Sequence, residues 1–458
     1  MTRGAAVAGG HEVVAGWRAA LSRVEQSRWV LLVAIVAATV LGLIGIGDKS
    51  VWLDEAFSVA VARLPMPDLL TYLWRSELYA SPYYVLLHFW LALGSGEALV
   101  RALSVVIGVG AVIATYFVGR RFGVGFRAAL VMAVLPTFVQ YEQEARTYTL
   151  LTAWAAVTTL AYLRYTEKPS WSRGLVYAFC GALMAYVHPV GAMVVVAHAI
   201  HAVLTAAPAN RRGLLAAFAV IFLAWVPVLR FALLHRDRAF WIPPLTVATV
   251  GEQFIALGGG LLVAAALLVL IAIGLRRDLP TLWLAAPIIG ILAMSAFVQP
   301  LLQARYLICV LPAAAMLAAR GGARAIAVLV VLSLVATGSW YVDGRKDDWR
   351  SAVAWVSTSA LPGDGILFSP AYGRLAFEYY GEAGESIYPN ASWQELYLPG
   401  YRFPDAPTGI VNERVWLVEI FGTPAPDTVL AVLDGYQPVE ERNYGVNGPD
   451  ITLLARSP

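Results

Sequence analysis

The stretch Trp52-Leu53-Asp54-Glu55-Ala56-Phe57-Ser58 places two adjacent carboxylates just beyond a long apolar run, residues 29–47. Charged side chains at the edge of a membrane-spanning segment are unfavourable unless they face water or serve a function. A solvated loop start would account for the same two residues, so the pair alone does not distinguish a functional site from a loop. The rest of the chain has to separate these two interpretations.

The composition is that of a polytopic membrane protein. Hydrophobic residues make up 59% of the 458 residues and charged residues only 14%, whereas soluble domains average roughly 45–50% and 25%. The net charge of +3 is too small to indicate nucleic-acid binding. The two cysteines, Cys180 and Cys309, lie in apolar segments, which favours buried thiols over a disulfide or a metal site.

Apolar stretches long enough to cross a bilayer occur about eleven times. They are residues 29–47, 100–119, 126–140, 146–164, 172–189, 190–206, 213–231, 253–274, 279–298, 303–319 and 324–340. The stretch 82–94 is too short to cross comfortably and is rich in aromatic residues, so we expect an interfacial helix there. The predicted fold class is a polytopic α-helical membrane protein with about eleven transmembrane helices.

Basic residues orient these spans. If 82–94 does not cross, every short basic turn falls on the side of the N-terminus, which the positive-inside rule assigns to the cytoplasm. These turns hold Arg3, Arg18, Arg23, Arg28, Arg120, Arg121, Arg127, Arg164, Lys168, Arg173, Arg211, Arg212, Arg276, Arg277, Arg320 and Arg324. No small-residue cleavage site stands out, so we expect the first span to anchor the chain in the plasma membrane, with Asp54 and Glu55 outside the cytoplasm.

Three regions follow from this topology. They are a cytoplasmic tail at 1–28, a membrane-spanning catalytic domain at 29–340 with its first external loop at 48–99, and a small extracytoplasmic α/β domain at 341–458. In the last region the pattern predicts a helix over 349–360 and short buried strands at 365–369, 415–419 and 451–455.

The external face also collects most of the unusual polar side chains. They are Glu142, Glu144, Arg146, Tyr148, His188, Arg305 and Tyr306. A carboxylate at this membrane edge suits a general base, although the spacing does not say whether Asp54 or Glu55 would serve. Arg146 and Arg305 come from separate spans and suit a phosphate group, because guanidinium binds phosphate bidentately.

An ordinary structural role is open for each of these residues. An arginine near a helix end can extend to the membrane interface, and a lone histidine such as His188 is more often structural than a metal ligand. The sequence has no glycine-rich phosphate loop, zinc motif or serine nucleophile motif. A cytosolic nucleotide donor is therefore not expected.

Several segments, taken in order, resemble the GT-C glycosyltransferases. The likeness is to family 39, the polyprenyl-phosphate-mannose type mannosyltransferases and their aminoarabinose-transferring relatives. Leu53-Asp54-Glu55-Ala56-Phe57-Ser58 resembles the family's Asp-Glu motif, and Ser81 to Trp90 resembles its His-Pro-Pro-Leu-Tyr-Tyr segment. Gln143 to Tyr148 is similar to the Glu-Ala-Arg-x-Tyr segment, and Ala304-Arg305-Tyr306-Leu307 to the late Arg-Tyr element. The resemblance covers about residues 29–340 by the span assignment.

The resemblance implies a GT-C-like fold and inverting transfer of a sugar from a polyprenyl phosphate on the extracytoplasmic side. The family's catalytic aspartate corresponds to Asp54, as base for the acceptor hydroxyl, with Glu55 in support. Donor binding and pocket shape would fall to Arg146, Arg305, Tyr83, Tyr84, Glu144, Tyr148, Tyr306 and His188. The family's His-Pro-Pro is Ala80-Ser81-Pro82 here, so any role of that histidine does not carry over.

The implied partners are a polyprenyl-phosphate sugar donor, a glycan, lipid or protein acceptor, and membrane lipids, without nucleic acid. No metal-ligand set is predicted, and a divalent metal cofactor is left open. Frequent Ala and Arg with little Lys is typical of GC-rich bacterial genomes such as those of actinobacteria. That composition favours mannose or arabinose carried on decaprenyl phosphate.

Two other functions stay open. A transporter or flippase of polyprenyl-linked lipids would use the carboxylates for proton coupling, but it would place polar residues at mid-membrane and at both faces. A polysaccharide polymerase or ligase of the same superfamily would use the same face as the predicted glycosyltransferase.

Overall fold

The structure is a computed structural model, and it describes residues 28–239, 241–342, 347–381, 386–390, 409–422, 424–445 and 448–457. The predicted cytoplasmic tail, residues 1–28, lies outside the described residues apart from Arg28, at which the first helix begins.

Helices dominate the described residues. The first ten are α1 (Arg28–Leu43), α2 (Leu53–Ala62), α3 (Met66–Ser76), α4 (Ser81–Trp90), α5 (Glu97–Arg120), α6 (Gly125–Val134), α7 (Pro136–Glu142), α8 (Tyr148–Glu167), α9 (Trp171–Val187) and α10 (Ala192–Thr205). The next nine are α11 (Pro208–Leu234), α12 (Val247–Gly258), α13 (Leu261–Gly274), α14 (Leu279–Phe297), α15 (Leu311–Ala318), α16 (Ala323–Val342), α17 (Trp349–Ser359), α18 (Arg374–Tyr380) and α19 (Asp427–Ala431). The strands are β1 (Gly365–Ser369), β2 (Ser386–Tyr388), β3 (Arg414–Glu419), β4 (Tyr436–Asn443) and β5 (Asp450–Arg456).

The chain divides into two compact units by its contacts. The helical unit comprises Met1–Ile44 and Ala102–Tyr341, and the mixed unit comprises Gly45–Arg101 and Val342–Pro458. The first loop, 48–99, therefore groups with the C-terminal region, whereas the sequence pattern assigned it to the membrane-spanning domain. The reason is a shared hydrophobic core within the mixed unit.

The helical unit is built from apolar helices of a membrane protein. Among the described residues, four helices are long and apolar enough to cross a membrane, namely α5, α11, α14 and α16. The pair α12 and α13 adds a fifth if it is taken as one broken span, since the two axes meet at 87°. Four shorter apolar helices accompany them. The number of spans, eleven by sequence, stays a prediction.

Breaks in these helices have identifiable backbone causes. The predicted span 126–140 is interrupted at Leu135, which is extended, because Pro136 lacks an N–H and disfavours a helical residue before it. The turn between α12 and α13 uses Gly259 and Gly260 at φ of +79° and +131°, where glycine has no steric penalty. A Cβ at Gly259 would lie 2.5 Å from Pro136, so this turn packs directly on the helix break at Leu135 and Pro136.

The mixed unit contains a five-stranded sheet in the order β2-β1-β3-β5-β4. β1 pairs in parallel with β2 and β3, while β5 pairs antiparallel with β3 and β4. The strands predicted at 365–369, 415–419 and 451–455 coincide with β1, β3 and β5, and the helix predicted at 349–360 coincides with α17. Short, mostly apolar runs located these central strands, and β1 and β3 are buried on both faces.

The two faces of the sheet are covered by different parts of the chain. Side chains on one face, among them Phe368 and Trp416, pack into a core with α17 and α18. The same core includes residues of the first loop such as Leu53, Phe57 and Tyr84. The opposite face packs on α19. The loop thus supplies one layer of the α/β fold.

Candidate functional site

Asp54 and Glu55 lie in the first turn of α2. The preceding residue, Trp52, is extended and serves as the N-cap. Two carboxylates in a first turn are favourable because the N–H groups there carry partial positive charge. Successive side chains point about 100° apart around a helix, so the pair diverges: Asp54 is half-buried, while Glu55 is 0% exposed.

Glu55 is held by Arg101, a residue that the sequence reasoning did not single out. The guanidinium donates to both carboxylate oxygens, through Nε at 2.7 Å and Nη2 at 2.6 Å. It also donates to the main-chain oxygens of Ile46, Lys49 and Ser50 at 2.9, 2.6 and 2.9 Å. A fully hydrogen-bonded arginine therefore connects the N-terminus of α2 to the segment that precedes it in the chain. Residues 47–51 of that segment are called the link below.

This pairing separates the two carboxylates chemically. Glu55 is fully engaged with a buried cation, which favours its charged form and leaves it away from solvent. Asp54 keeps part of its surface exposed. The accessible carboxylate of the motif is thus Asp54, and Glu55 serves to anchor the helix. The sequence signal for Arg101 was an arginine inside the first turn of an apolar span, where a lone cation is rare.

Tyr83 and Tyr84 belong to the packed interior of the mixed unit. Their exposures are 0% and 1%. The Tyr84 ring meets Phe57 edge-on with centroids 6.2 Å apart. Both lie on α4, whose N-cap Ala80 has a left-handed φ of +84° where the family pattern has its histidine. Their burial gives them a packing role, and a role in donor binding stays a prediction.

Within the helical unit, three other predicted residues gather around His188, which follows α9 as its extended C-cap. The His188 ring lies 4.8 Å from the ring of Tyr306. The ring is buried, and the charges of Arg305 and Arg146 both act on it. Its Nδ1 accepts from the Val190 N–H at 3.3 Å. Two guanidinium groups near one buried ring make a locally positive surface suited to an anion.

Glu144 and Tyr148 are buried at the same segment. Glu144 accepts at its main-chain oxygen from the hydroxyl of Ser104 at 2.6 Å. The ring of Tyr148 lies 4.9 Å from that of Tyr141. These contacts fix the turn between α7 and α8, from which Arg146 projects.

Two further residues hold Arg305 in place and were missed by the sequence reasoning. The ring of Trp241 lies 4.8 Å from the Arg305 guanidinium carbon, within cation–π range. The side chain of Gln253 on α12 accepts from the Ala304 N–H at 2.7 Å. Trp241 lies between the predicted spans 213–231 and 253–274, but a stacking partner for Arg305 cannot be chosen from the sequence.

The described residues contain no group of three or more His, Cys, Asp or Glu side chains placed to hold a metal ion. Within the mixed unit, a cavity of about 300 Å³ lies between α2 and α18, lined in part by Ala56, Arg63 and Tyr379. Arg63 follows Asp54 by nine residues, half a turn around the helix. The cavity therefore opens on the face of α2 opposite to Asp54.

Comparison with known proteins identifies the class of fold. The family model of dolichyl-phosphate-mannose-protein mannosyltransferases matches residues 82–231, about a third of the chain. No curated protein sequence matches this chain. ArnT from Cupriavidus metallidurans in the apo state matches with a TM-score of 0.62 at 14% identity, over 93% of this chain and 97% of ArnT. ArnT bound to undecaprenyl phosphate gives 0.62 and 14%, over 93% and 98%.

A second solved relative comes from the archaea. The oligosaccharyltransferase of Archaeoglobus fulgidus, in complex with Zn and sulfate, matches with a TM-score of 0.54 at 13% identity, over 92% of this chain and 73% of that enzyme. Identities this low establish the fold, and the fold is that of membrane-embedded GT-C glycosyltransferases.

The chain is therefore an integral membrane protein and an enzyme of the glycosyltransferase class. More particularly, it is a relative of the GT-C mannosyltransferases and aminoarabinose transferases, and the resemblance seen in its motifs is confirmed. The family model covers α4 to α11, the stretch that carries Arg101, Arg146 and His188.

Proposed function

We propose that this protein is an inverting glycosyltransferase that moves mannose or arabinose from a polyprenyl phosphate to an acceptor hydroxyl outside the cytoplasm, with Asp54 as the general base. The acceptor is a glycan, lipid or protein. The mannosyltransferase family match and the ArnT structure with undecaprenyl phosphate support a polyprenyl-phosphate donor. The proposal includes about eleven spans, a cytoplasmic N-terminus and an extracytoplasmic C-terminal α/β domain, as the basic turns indicate.

In the proposed step, the acceptor oxygen attacks C1 of the donor sugar from the side opposite the phosphate. The new C1–O bond forms as the C1–O bond to phosphate breaks, so the configuration at C1 inverts. Asp54 takes the proton of the acceptor hydroxyl. The polyprenyl phosphate leaves with the bonding electron pair, and its charge rises from that of a phosphodiester to that of a phosphomonoester.

The main support for the proposal is that Arg146 and Arg305 both lie close enough to His188 to act on it electrostatically. Negative charge grows on the leaving phosphate during the transfer, so a guanidinium binds the transition state more tightly than the ground state. Arg146 and Arg305 would bind the phosphate, while Tyr306 and Trp241 fix the ring and guanidinium around it.

The test replaces the base. Purified protein in detergent is given radiolabelled decaprenyl-phosphate mannose or decaprenyl-phosphate arabinose, with the delipidated cell-envelope fraction as acceptor. Asp54→Asn should lower transfer by about 10²–10⁴-fold while the protein still folds. Arg305→Ala should act mainly on turnover, because it removes a contact that strengthens in the transition state. Full activity of Asp54→Asn would disprove the assignment of the base.

The same assay separates an enzyme from a flippase of polyprenyl-linked lipids. Detergent abolishes compartments, so a flippase produces no change in the labelled lipid. Appearance of label in the acceptor, with release of decaprenyl phosphate, is expected only of the enzyme.

A further inference from the structure

The link that leads into α2 is held by a tyrosine from the far end of the chain. Tyr380, at the C-terminus of α18, places its phenol oxygen 2.5 Å from the Val51 N–H and 3.0 Å from the Ser50 hydroxyl. The same phenol donates to the carboxylate of Glu97 at the start of α5. One hydroxyl thus fixes the residues that immediately precede Trp52 and the Asp54-bearing helix.

A second residue of the C-terminal region contacts the same link. The Arg350 N–H donates to the Ser50 hydroxyl at 3.2 Å, and its guanidinium donates to the Gly47 oxygen at 3.0 Å. The guanidinium also forms an ion pair with Glu97. Gly47, Ser50 and Val51, in the segment 47–51, are therefore each hydrogen-bonded to α17 or α18.

The polar contacts rest on a continuous apolar layer. Phe57 of α2 lies in the same buried core as Phe368, Phe377 and Trp416. Burial and the hydrogen bond to Glu97 raise the pKa of Tyr380 above its usual range, so its phenol keeps its proton. The C-terminal region thus contacts α2 by apolar packing and contacts the link by hydrogen bonds.

We propose that the pair of helices α17 and α18 in the C-terminal region is a positioning element for Asp54, with Tyr380 as its main positioning residue. It fixes the link 47–51, and with it the direction in which α2 presents the Asp54 carboxylate to the acceptor hydroxyl. This inference rests on the proposed role of Asp54 as base. It assigns the region a part in the chemical step rather than in the choice of acceptor.

The test compares two neighbouring tyrosines. Tyr380→Phe removes only the hydroxyl, which contacts Ser50, Val51 and Glu97. The matched control, Tyr379→Phe, removes a hydroxyl of the same region that donates instead to the Ser95 main-chain oxygen at 2.7 Å. With decaprenyl-phosphate mannose as donor, Tyr380→Phe should lower kcat about tenfold with KM for donor and acceptor within twofold, because small misplacements of a reacting group are costly. Tyr379→Phe should stay within twofold of the parent.

A double-mutant cycle separates positioning from general stability. Asp54→Glu moves the carboxylate by one methylene and leaves turnover measurable. If Tyr380 acts through Asp54, adding Tyr380→Phe to Asp54→Glu should lower kcat by less than twofold further. Equal losses in the two tyrosine variants, a full tenfold loss on top of Asp54→Glu, or a change confined to KM for the acceptor would each overturn the proposal. Full activity of Asp54→Asn, by contrast, would overturn the role of the base itself.

Discussion

Two glutamates of this protein are equally buried and chemically opposite. Glu55 in the mixed unit and Glu142 in the helical unit are each 0% exposed. Glu55 binds the guanidinium of Arg101 with both oxygens. Neither carboxylate oxygen of Glu142 has a hydrogen-bond partner within the described part of the chain.

The surroundings of Glu142 are glycines rather than cations. Its carboxyl, at the end of α7 beyond the predicted span 126–140, fits against Gly42 of α1 and Gly108 of α5. A Cβ at Gly42 would lie 3.4 Å from Oε2, and one at Gly108 only 2.2 Å from Oε1. Burial raises the pKa of Glu142 well above its usual range, so the group is a neutral acid. Burial alone therefore does not reveal whether an acidic residue is charged; its partner does.

The largest effect is expected when Glu55 loses its cation. Arg101→Met leaves the charge of Glu55 buried without compensation and three main-chain oxygens without their donor. The free energy of unfolding should fall by about 3–5 kcal/mol. It can be measured by titrating protein in mixed micelles with a denaturing detergent. Arg101→Lys keeps the charge but not the five-bond geometry and should fall between Met and the parent; equal stability of all three proteins would contradict the pairing.

Replacing Glu55 tests the same ion pair from the carboxylate. Glu55→Gln keeps the size and one acceptor but leaves Arg101 as a buried cation, so we expect a loss of about 2–3 kcal/mol in the same titration. Transfer should fall less than in Asp54→Asn, because Glu55 anchors the helix and does not accept the proton. A larger loss of kcat in Glu55→Gln than in Asp54→Asn would reverse their roles.

The glycine contact of Glu142 predicts a smaller loss. Gly108→Ala inserts a methyl group where the carboxyl already lies, which should reduce stability by about 1–3 kcal/mol through overpacking. Gly110→Ala on the same helix is a control, since no heavy atom of the described chain lies within 4 Å of its added Cβ. The two thermal midpoints in detergent should differ; identical midpoints would mean that the helices adjust freely.

The smallest effect is expected for Glu142→Gln. A neutral acid and an amide have nearly the same shape, and no ion pair is lost, so stability should change by less than about 0.5 kcal/mol. The contrast with Glu55→Gln in the same titration is the direct measure of the difference between the two glutamates. A loss as large as that of Glu55→Gln would show that Glu142 carries a charge.

Much of the architecture was accessible from sequence because it rests on local patterns. Short, mostly apolar runs located β1, β3 and β5, and the order of apolar runs and basic turns placed Arg146 and Arg305 on one predicted face. The span 126–140 was predicted as unbroken, although Pro136 disfavours a helical residue before it. The approach of Arg146 and Arg305 to His188 could not be predicted, because it depends on how distant segments pack.

The partners of the Asp-Glu motif lie too far along the chain for any local pattern to reveal them. Arg101 follows Glu55 by 46 residues, and Tyr380 follows Ser50 by 330. The grouping of the first loop with the C-terminal region has the same origin: its core joins segments separated by most of the chain. The sequence analysis placed the first loop, 48–99, with the membrane-spanning segments, because composition carries no information on such long-range packing.

Val51 and Tyr380 are separated by 329 residues in the sequence, and this separation determines when their contact can form during synthesis. At typical rates of synthesis, roughly 5–20 residues per second, Tyr380 emerges about 15–65 s after Val51. During that interval α2 lacks the partners that complete its core, although Arg101 has already been made. The ribosome must therefore translate past Tyr380 before the helix that bears Asp54 can complete its packing, so a chain that ends earlier would lack these contacts on its first loop.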